Sequence, residues 1–372
     1  MRNKALLCLV LVAAPEAMAQ ESPWRFGLRA EAEARYDDNI ISLSKSEKRQ
    51  LEHPSDPNSE DLFRIESAED VILVPQMALS LSRSPREGRQ TGLRLTLRAH
   101  DYLRNSVKDY QEYLLSVRQD LNRSRRHSAS VTLGGSTIPS YYLRELIDDD
   151  LSTPGNTVRS SADFRMNRGY VEYSQEVIHR ALRVTAEYAR ERRDYNGDFD
   201  ERDSSSDLVS ADLSIYPLRR ILFRARPYYA HERRRARGDT PTTAIVDDET
   251  DFDADLIGVD LRWVWGGGQG RRQILRPYYQ IEQRDFTTRN SASTGHFGRQ
   301  DEIRKYGMSY DKDLGPRWRV SLSGYHRDNE VSFPGSSATT FRRNVVGAAL
   351  VYSFEKSLDS AEPEAAGPKT EG

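Results

Sequence analysis

Cysteine occurs once in the 372 residues, at Cys8, so no disulfide framework can hold the chain together. An excess of one charge is lacking too. The 55 Lys and Arg balance 57 Asp and Glu, leaving a formal charge of −2 and no electrostatic footprint for a nucleic-acid partner. After residues 5–14, no apolar run approaches the roughly 18 residues that a membrane-crossing helix requires. Apolar residues are scarce overall, 37% against 30% charged, which is poor for a soluble domain of this length. Disorder would be one explanation. The 19 Tyr, 11 Phe and 4 Trp argue against it, as does a regular alternation along the chain.

That alternation opens in residues 26–39, FGLRAEAEARYDDN. Phe26, Leu28, Ala30, Ala32, Ala34 and Tyr36 fall on every second position, with Arg29, Glu31, Glu33 and Arg35 between them. Ala, Glu and Arg favour helix by propensity, yet on a helix this spacing builds no face. On a strand it gives one apolar and one charged side. The pattern recurs in TGLRLTLRA (91–99), ALRVTAEY (181–188), IGVDLRWVW (257–265), WRVSLS (318–323) and NVVGAALVYSF (344–354).

Some fourteen such segments are expected, with 12–16 as the range. They centre on 24–38, 70–82, 90–102, 108–121, 126–136, 163–177, 180–193, 206–217, 219–232, 254–266, 272–286, 301–313, 317–329 and 342–355. The fold class is therefore all-β, a transmembrane antiparallel β-barrel, in which only alternate residues must face lipid. Connections alternate between tight and long, the long ones at 39–69, 137–162, 194–205, 233–253, 287–300 and 330–341. Short periplasmic turns and long outer loops would give this asymmetry. Trp24, Trp263, Trp265, Trp318, Tyr352 and Phe354 then fall at the periplasmic rim. Tyr36, Tyr102, Tyr188, Tyr229 and Tyr306 fall nearer the outer rim, as two aromatic girdles require. Arg226-Pro227-Tyr228-Tyr229 recurs as Arg276-Pro277-Tyr278-Tyr279, and proline ordinarily marks an edge strand.

The start, MRNKALLCLVLVAAPEAMAQ, has the layout of a secretory signal peptide: basic residues, a short apolar run and an Ala17-Met18-Ala19 cleavage site. The domain reading is a signal peptide at 1–19, a barrel at 20–355 and a disordered periplasmic tail at 356–372.

The chain resembles the proteobacterial outer-membrane β-barrels. Its last strand, Val345-x-Gly347-x-x-Leu350-x-Tyr352-x-Phe354, is similar to the C-terminal signal read by the barrel-assembly machinery. In that family the aromatic is usually terminal, whereas 18 residues (355–372) follow here. Tyr36-Asp37-Asp38-Asn39-Ile40 resembles the first-strand end of porin-like barrels, some of which sit among genes for surface polysaccharide. The resemblance implies location in the outer membrane, lipopolysaccharide and the assembly machinery as partners, and a porin-like role. It does not assign a solute.

Catalysis finds little support. No G-x-S-x-G exists, Gly134-Gly135-Ser136 reads as a strand-end turn, and His231-Glu232 lacks a second histidine. His100-Asp101 is a weak candidate for half of an Asp/His pair. No cofactor is implied. Asp251, Asp253 and Asp255 are weak calcium candidates, as are Asp198, Asp200, Glu201 and Asp203. An EF-hand would need glycine at Leu256 and glutamate at Arg262.

The face opposite the apolar one carries Arg29, Arg35, Arg94, Arg98, Arg183, Arg224, Arg226, Arg262 and Arg276, with Glu31, Glu33 and Glu187. A charge on the lipid side costs about 2–4 kcal/mol at mid-membrane, so these side chains are expected to point inward. There they either cross-link the wall or form a guanidinium track for hydrophilic solutes, anionic or saccharide. The competing reading is a non-transporting surface barrel whose long acidic loops bind a partner, polysaccharide or divalent ions.

Overall fold

In the computed structural model the described residues are 24–53, 64–86, 89–123, 128–147, 159–216, 222–236, 251–266, 272–287, 297–334 and 339–357. The expected leader and most of the C-terminal tail lie outside them. Fourteen strands follow in chain order: β1 (Trp24–Asp37), β2 (Asp70–Arg86), β3 (Arg89–Tyr102), β4 (Tyr110–Arg123), β5 (Ser128–Ile147), β6 (Arg159–Ile178) and β7 (Leu182–Tyr195). The second half comprises β8 (Ser204–Ile215), β9 (Leu222–Ala236), β10 (Phe252–Trp265), β11 (Gln273–Phe286), β12 (Gln300–Asp313), β13 (Trp318–Ser332) and β14 (Thr339–Ser357). Each pairs antiparallel with its neighbours in sequence, and β14 returns to β1, so the sheet is a closed barrel. Closure leaves no open edge, which is how a sheet satisfies its backbone in hydrocarbon. No helix among the described residues is long and apolar enough to cross a membrane.

The outward face is set by the period-2 pattern. Leu93, Leu115, Val117, Leu133, Val171, Val209, Ile257, Met308, Leu322, Val346 and Leu350 are all exposed on it. Ala30, Ala32 and Ala34 join them, while Glu31, Glu33 and Arg35 between them are half-buried on the inward side. Trp24, Trp263, Trp265 and Trp318 stand on outward positions at one end of the barrel, and Tyr36, Tyr188, Tyr229 and Tyr306 at the other. Tyr102 departs from the expected girdle. It pairs with Ile72, shares that residue's inward face and is buried.

Two further expectations are corrected. Residues 137–162 are not all loop, because β5 and β6 run on into a tall hairpin, pairing as far as Ile147↔Arg159. Register shifts at Ile138/Tyr141 and Tyr142/Arg144 make room for the extra residues. The prolines of the repeated RPYY segment do not mark edges either. Pro227 pairs with Val259 and Pro277 with Met308, while the ladders to β8 and β10 skip these positions, where proline offers no N–H.

Glycine allows two close approaches inside the wall. Gly134 is directly opposite Tyr170, and Gly258 directly opposite Tyr228. Each tyrosine ring reaches over the space a side chain would take, and a Cβ at Gly134 would come within 2.5 Å of the ring.

The one buried apolar cluster among the described residues lies inside the end of the barrel that the loop lengths lead one to expect as the outer one. It joins Ile40 and Ile65 of the β1–β2 connection to inward-facing Ile72, Val74 and Tyr102, and to Tyr142. The described parts of the first connection, 38–53 and 64–69, are therefore turned in over the mouth.

Candidate functional site

The outer mouth is built from the Tyr36-Asp37-Asp38-Asn39 segment. Tyr36 faces outward and donates to Glu69 at 2.5 Å. Asp37 faces inward, is fully buried, and accepts from Arg343 of β14 and from the backbone N–H of Asn39 at 3.0 Å. Asn39, also fully buried, clamps the turn. Its Oδ1 accepts from Leu43 N–H at 2.7 Å, and its Nδ2 donates to the carbonyls of Leu43 (2.8 Å) and Arg342 (2.7 Å).

The helix α1 (Lys45–Glu52) follows, started by a capping box in which Ser44 and Glu47 satisfy each other's backbone N–H groups. Leu51 packs against the apolar cluster. Glu47 reaches across to Arg144 of β5 at 3.1 Å, and Ser44 bridges to Phe341 of β14. Burial alone would raise the Glu47 carboxyl, but bonds from Ser44 and Arg144 hold it below the ordinary carboxylate range. The segment thus spans the opening from β14 to β5.

Beneath it lies an arc of inward rings. His100 stacks on Tyr110 at 4.1 Å, and Tyr110, Tyr141, Phe164 and Tyr195 continue ring to ring at 5.0–5.2 Å across β4 to β7. Lys108, in the short 3-10 turn Ser106–Lys108, is buried against this arc. Its Nζ donates to the carbonyls of Tyr142 (2.6 Å) and Leu143 (3.3 Å) and lies 4.3 Å over the Tyr141 ring. Burial first, and Arg343 second, lower its ammonium to about 7. His100 and Asp101 are not brought together: His100 is buried inside, whereas Asp101, one residue on, is exposed on the outside.

All twelve charged residues expected on the inward face stand there by register. Arg29 bonds Glu31, Arg35 bonds Glu33, and Arg98 bonds Glu112, each at 2.7 Å. Arg226 bonds Asp260, Arg276 bonds Asp311 at 2.7 Å, and Glu187 is met by Arg168 at 2.7 Å. Arg94 donates weakly to Thr96 at 3.4 Å, Arg183 is opposite Glu176, and Arg224 is opposite Arg262.

Asp37, Lys305, Arg327 and Arg343 also face inward, and Lys108 lies inside the mouth on its 3-10 turn; none of the five is marked by the alternation. Lys305, Arg327 and Arg343 lie in stretches whose two faces are both polar, so alternation gave no signal.

The acidic candidates are not gathered as ligands. Asp253 and Asp255 face outward, bound to Arg235 (2.7 Å) and to Tyr229 (2.5 Å) and His231 (3.0 Å) respectively, while Asp251 accepts from the Ala236 N–H. No group of three or more possible metal ligands occurs among the described residues.

Of the C-terminal motif, Leu350, Tyr352 and Phe354 face outward. Gly347 faces inward, where a Cβ would stand 2.8 Å from the Glu33 carboxylate.

No protein-family model and no curated protein matches this chain. Similar solved structures include a "Bacterial polysaccharide outer membrane secretin" (10% identity, 87% of this chain and 98% of that one, TM-score 0.41). Others are an "Anion-selective porin from Comamonas acidovorans" (10% identity, 90% and 100%, 0.41) and the "TodX monoaromatic hydrocarbon channel deltaS2 mutant" (9% identity, 90% and 90%, 0.45). At this level of similarity the likeness is one of barrel architecture.

Proposed function

We propose that this chain is an outer-membrane channel for hydrophilic solutes, anionic or saccharide, which pass through an arginine-rich lumen. The observation that carries the reading is the division of the closed wall into two faces. Exposed Leu, Val and Ile occupy the outward one, and Arg, Glu and Asp the inward one. A lipid-facing apolar band with a charged interior is the arrangement of an outer-membrane channel. In this reading residues 1–19 are a cleaved leader, the Gly347–Phe354 strand engages the assembly machinery, and the outward charges near the outer rim contact lipopolysaccharide. Single-channel recording of the refolded protein tests it. Discrete anion-favouring conductance is expected, and a barrel silent in bilayers overturns it.

One observation favours the second reading, a surface barrel that binds a partner or polysaccharide without transport. The β1–β2 connection crosses the mouth and is tied to both β14 and β5. Under that reading, removing the connection abolishes partner binding and leaves the barrel silent.

A further inference from the structure

Most inward cations of the wall are bound to a carboxylate on their own strand or the next. Arg94, bonded only to Thr96, and Arg183, only opposite Glu176, stand singly outside this rule, and two rows of cations break it together. At the periplasmic end, Arg224 on β9 is directly opposite Arg262 on β10. Arg276 on β11 and Arg272 before it add their charge to Arg262, although Arg276 is already bound to Asp311. Among the described residues no ion pair forms on Arg224 or Arg262, and Arg224 Nε is buried without any hydrogen-bond partner. Asp260 holds Arg226, and Asp212, whose charge reaches both Arg226 and Arg224, makes no ion pair with either among the described residues.

At the outer end, Lys305, Arg327 and Arg343 face one another in consecutive register on β12, β13 and β14. Arg343 has Asp37, but no carboxylate among the described residues bonds Lys305 or Arg327. Lys305 Nζ lies 4.3 Å over the Tyr325 ring, and Glu282, whose charge reaches Arg327, is bound by Arg284 at 2.5 Å.

Like charges directly opposite on a sheet destabilise it, and a desolvated guanidinium with an unmade hydrogen bond costs more. Nothing in the wall requires either row, since Ser, Thr and Gly fill many other inward positions. An anion between the cations would reverse the sign of both terms. Guanidinium groups in pairs match the oxygen geometry of carboxylate and phosphate.

We propose that the two rows are oxyanion stations, one at each end of the bore, each taking a carboxylate or phosphate group. Their role in passage rests on the channel reading; binding itself does not. Two sites, one towards each end of the bore, let an anion enter and leave stepwise, as conduction requires.

The test uses the full chain refolded in detergent, with inorganic phosphate and acetate as probes. Calorimetry is run on the wild type, R224S/R262S and K305S/R327S, and chloride current is recorded in planar bilayers with each probe added to either side. Phosphate is expected to bind and to slow chloride current. Each double variant should weaken binding at its own station by about tenfold, as the loss of charged hydrogen bonds implies. The conservative R224K/R262K should keep most of it. Acetate acting as strongly as phosphate marks a carboxylate station, and a response to phosphate alone marks a phosphate station. Folding is read from heat-modifiable gel migration, and the single variants R262Q and R327Q serve if a double variant does not fold. Phosphate binding that is absent, or unchanged in all variants, overturns the stations even if the protein conducts. Binding lost in the variants of a protein that carries no current keeps the stations and overturns the channel.

Discussion

Arg343, near the outer end of β14, donates through Nε to both carboxylate oxygens of Asp37, at the end of β1, at 3.1 and 2.9 Å. The pair crosses the seam where the last strand meets the first, and Asp37 also holds the Asn39 N–H that starts the mouth segment. Closure and mouth therefore share one buried carboxylate.

Stranding that charge should be costly. Arg343→Met leaves Asp37 buried and unpaired, with an expected loss of about 3–5 kcal/mol. Arg25→Met removes the exposed 3.8 Å contact with Glu355 at the other end of the seam and should cost no more than about 1 kcal/mol. Urea unfolding followed by tryptophan fluorescence compares them. Equal losses would show that the Asp37 pair does not anchor the seam.

Orientation can be tested with one pair of neighbours. Ile257 is 64% exposed on the outward face, while Leu256, one residue earlier, faces inward opposite Glu282. Ile257→Arg should cost about 2–4 kcal/mol near mid-membrane and reduce the folded yield in liposomes. Leu256→Arg faces the water-filled interior, and its yield should stay close to wild type. The reverse ranking would turn the wall inside out.

All fourteen strands were legible because hydrocarbon enforces the alternation wherever it touches the wall. Where the wall rises beyond hydrocarbon, both faces are polar and the signal fades. That is why Lys305, Arg327 and Arg343 escaped notice, and why the tall end of β5, interrupted by bulges after Ile138, read as loop. The inward turn of the first connection was hidden for a different reason. Asp37, Asp38 and Asn39 are ordinary turn residues by composition, and only the 303-residue separation between Asn39 and the Arg342 carbonyl it binds reveals a clamp. The pairing of charges across strands was likewise invisible, since register depends on the closed ring.

The mouth should respond to pH through Lys108. Burial lowers its ammonium to about 7 in the folded chain, against 10.5 ordinarily. Between those values the unfolded chain binds the extra proton, so stability rises as pH climbs through this window, and the whole penalty stands below about 7. Lys108→Met removes the titration and should flatten the rise. Amide exchange of the Tyr141–Leu143 backbone between pH 6 and 10 reads it, and an unchanged slope in Lys108→Met would discount the residue.

The segment across the mouth separates the two functional readings. If the barrel is a channel, residues 40–52 narrow its entrance, because Ile40 and Leu51 pack on inward-facing Ile72, Val74 and Tyr102. Asn39→Ala removes the three bonds that shape the turn, each worth about 1 kcal/mol net, and should free the segment while the strands stay paired. Deleting 40–52 removes it outright. Single-channel conductance should then rise in both variants, more in the deletion, with anion preference retained because the charged rows lie in the wall. An unchanged conductance would show that ions pass beside the segment, and silence in all three proteins would favour a surface barrel whose folded mouth is itself the binding face.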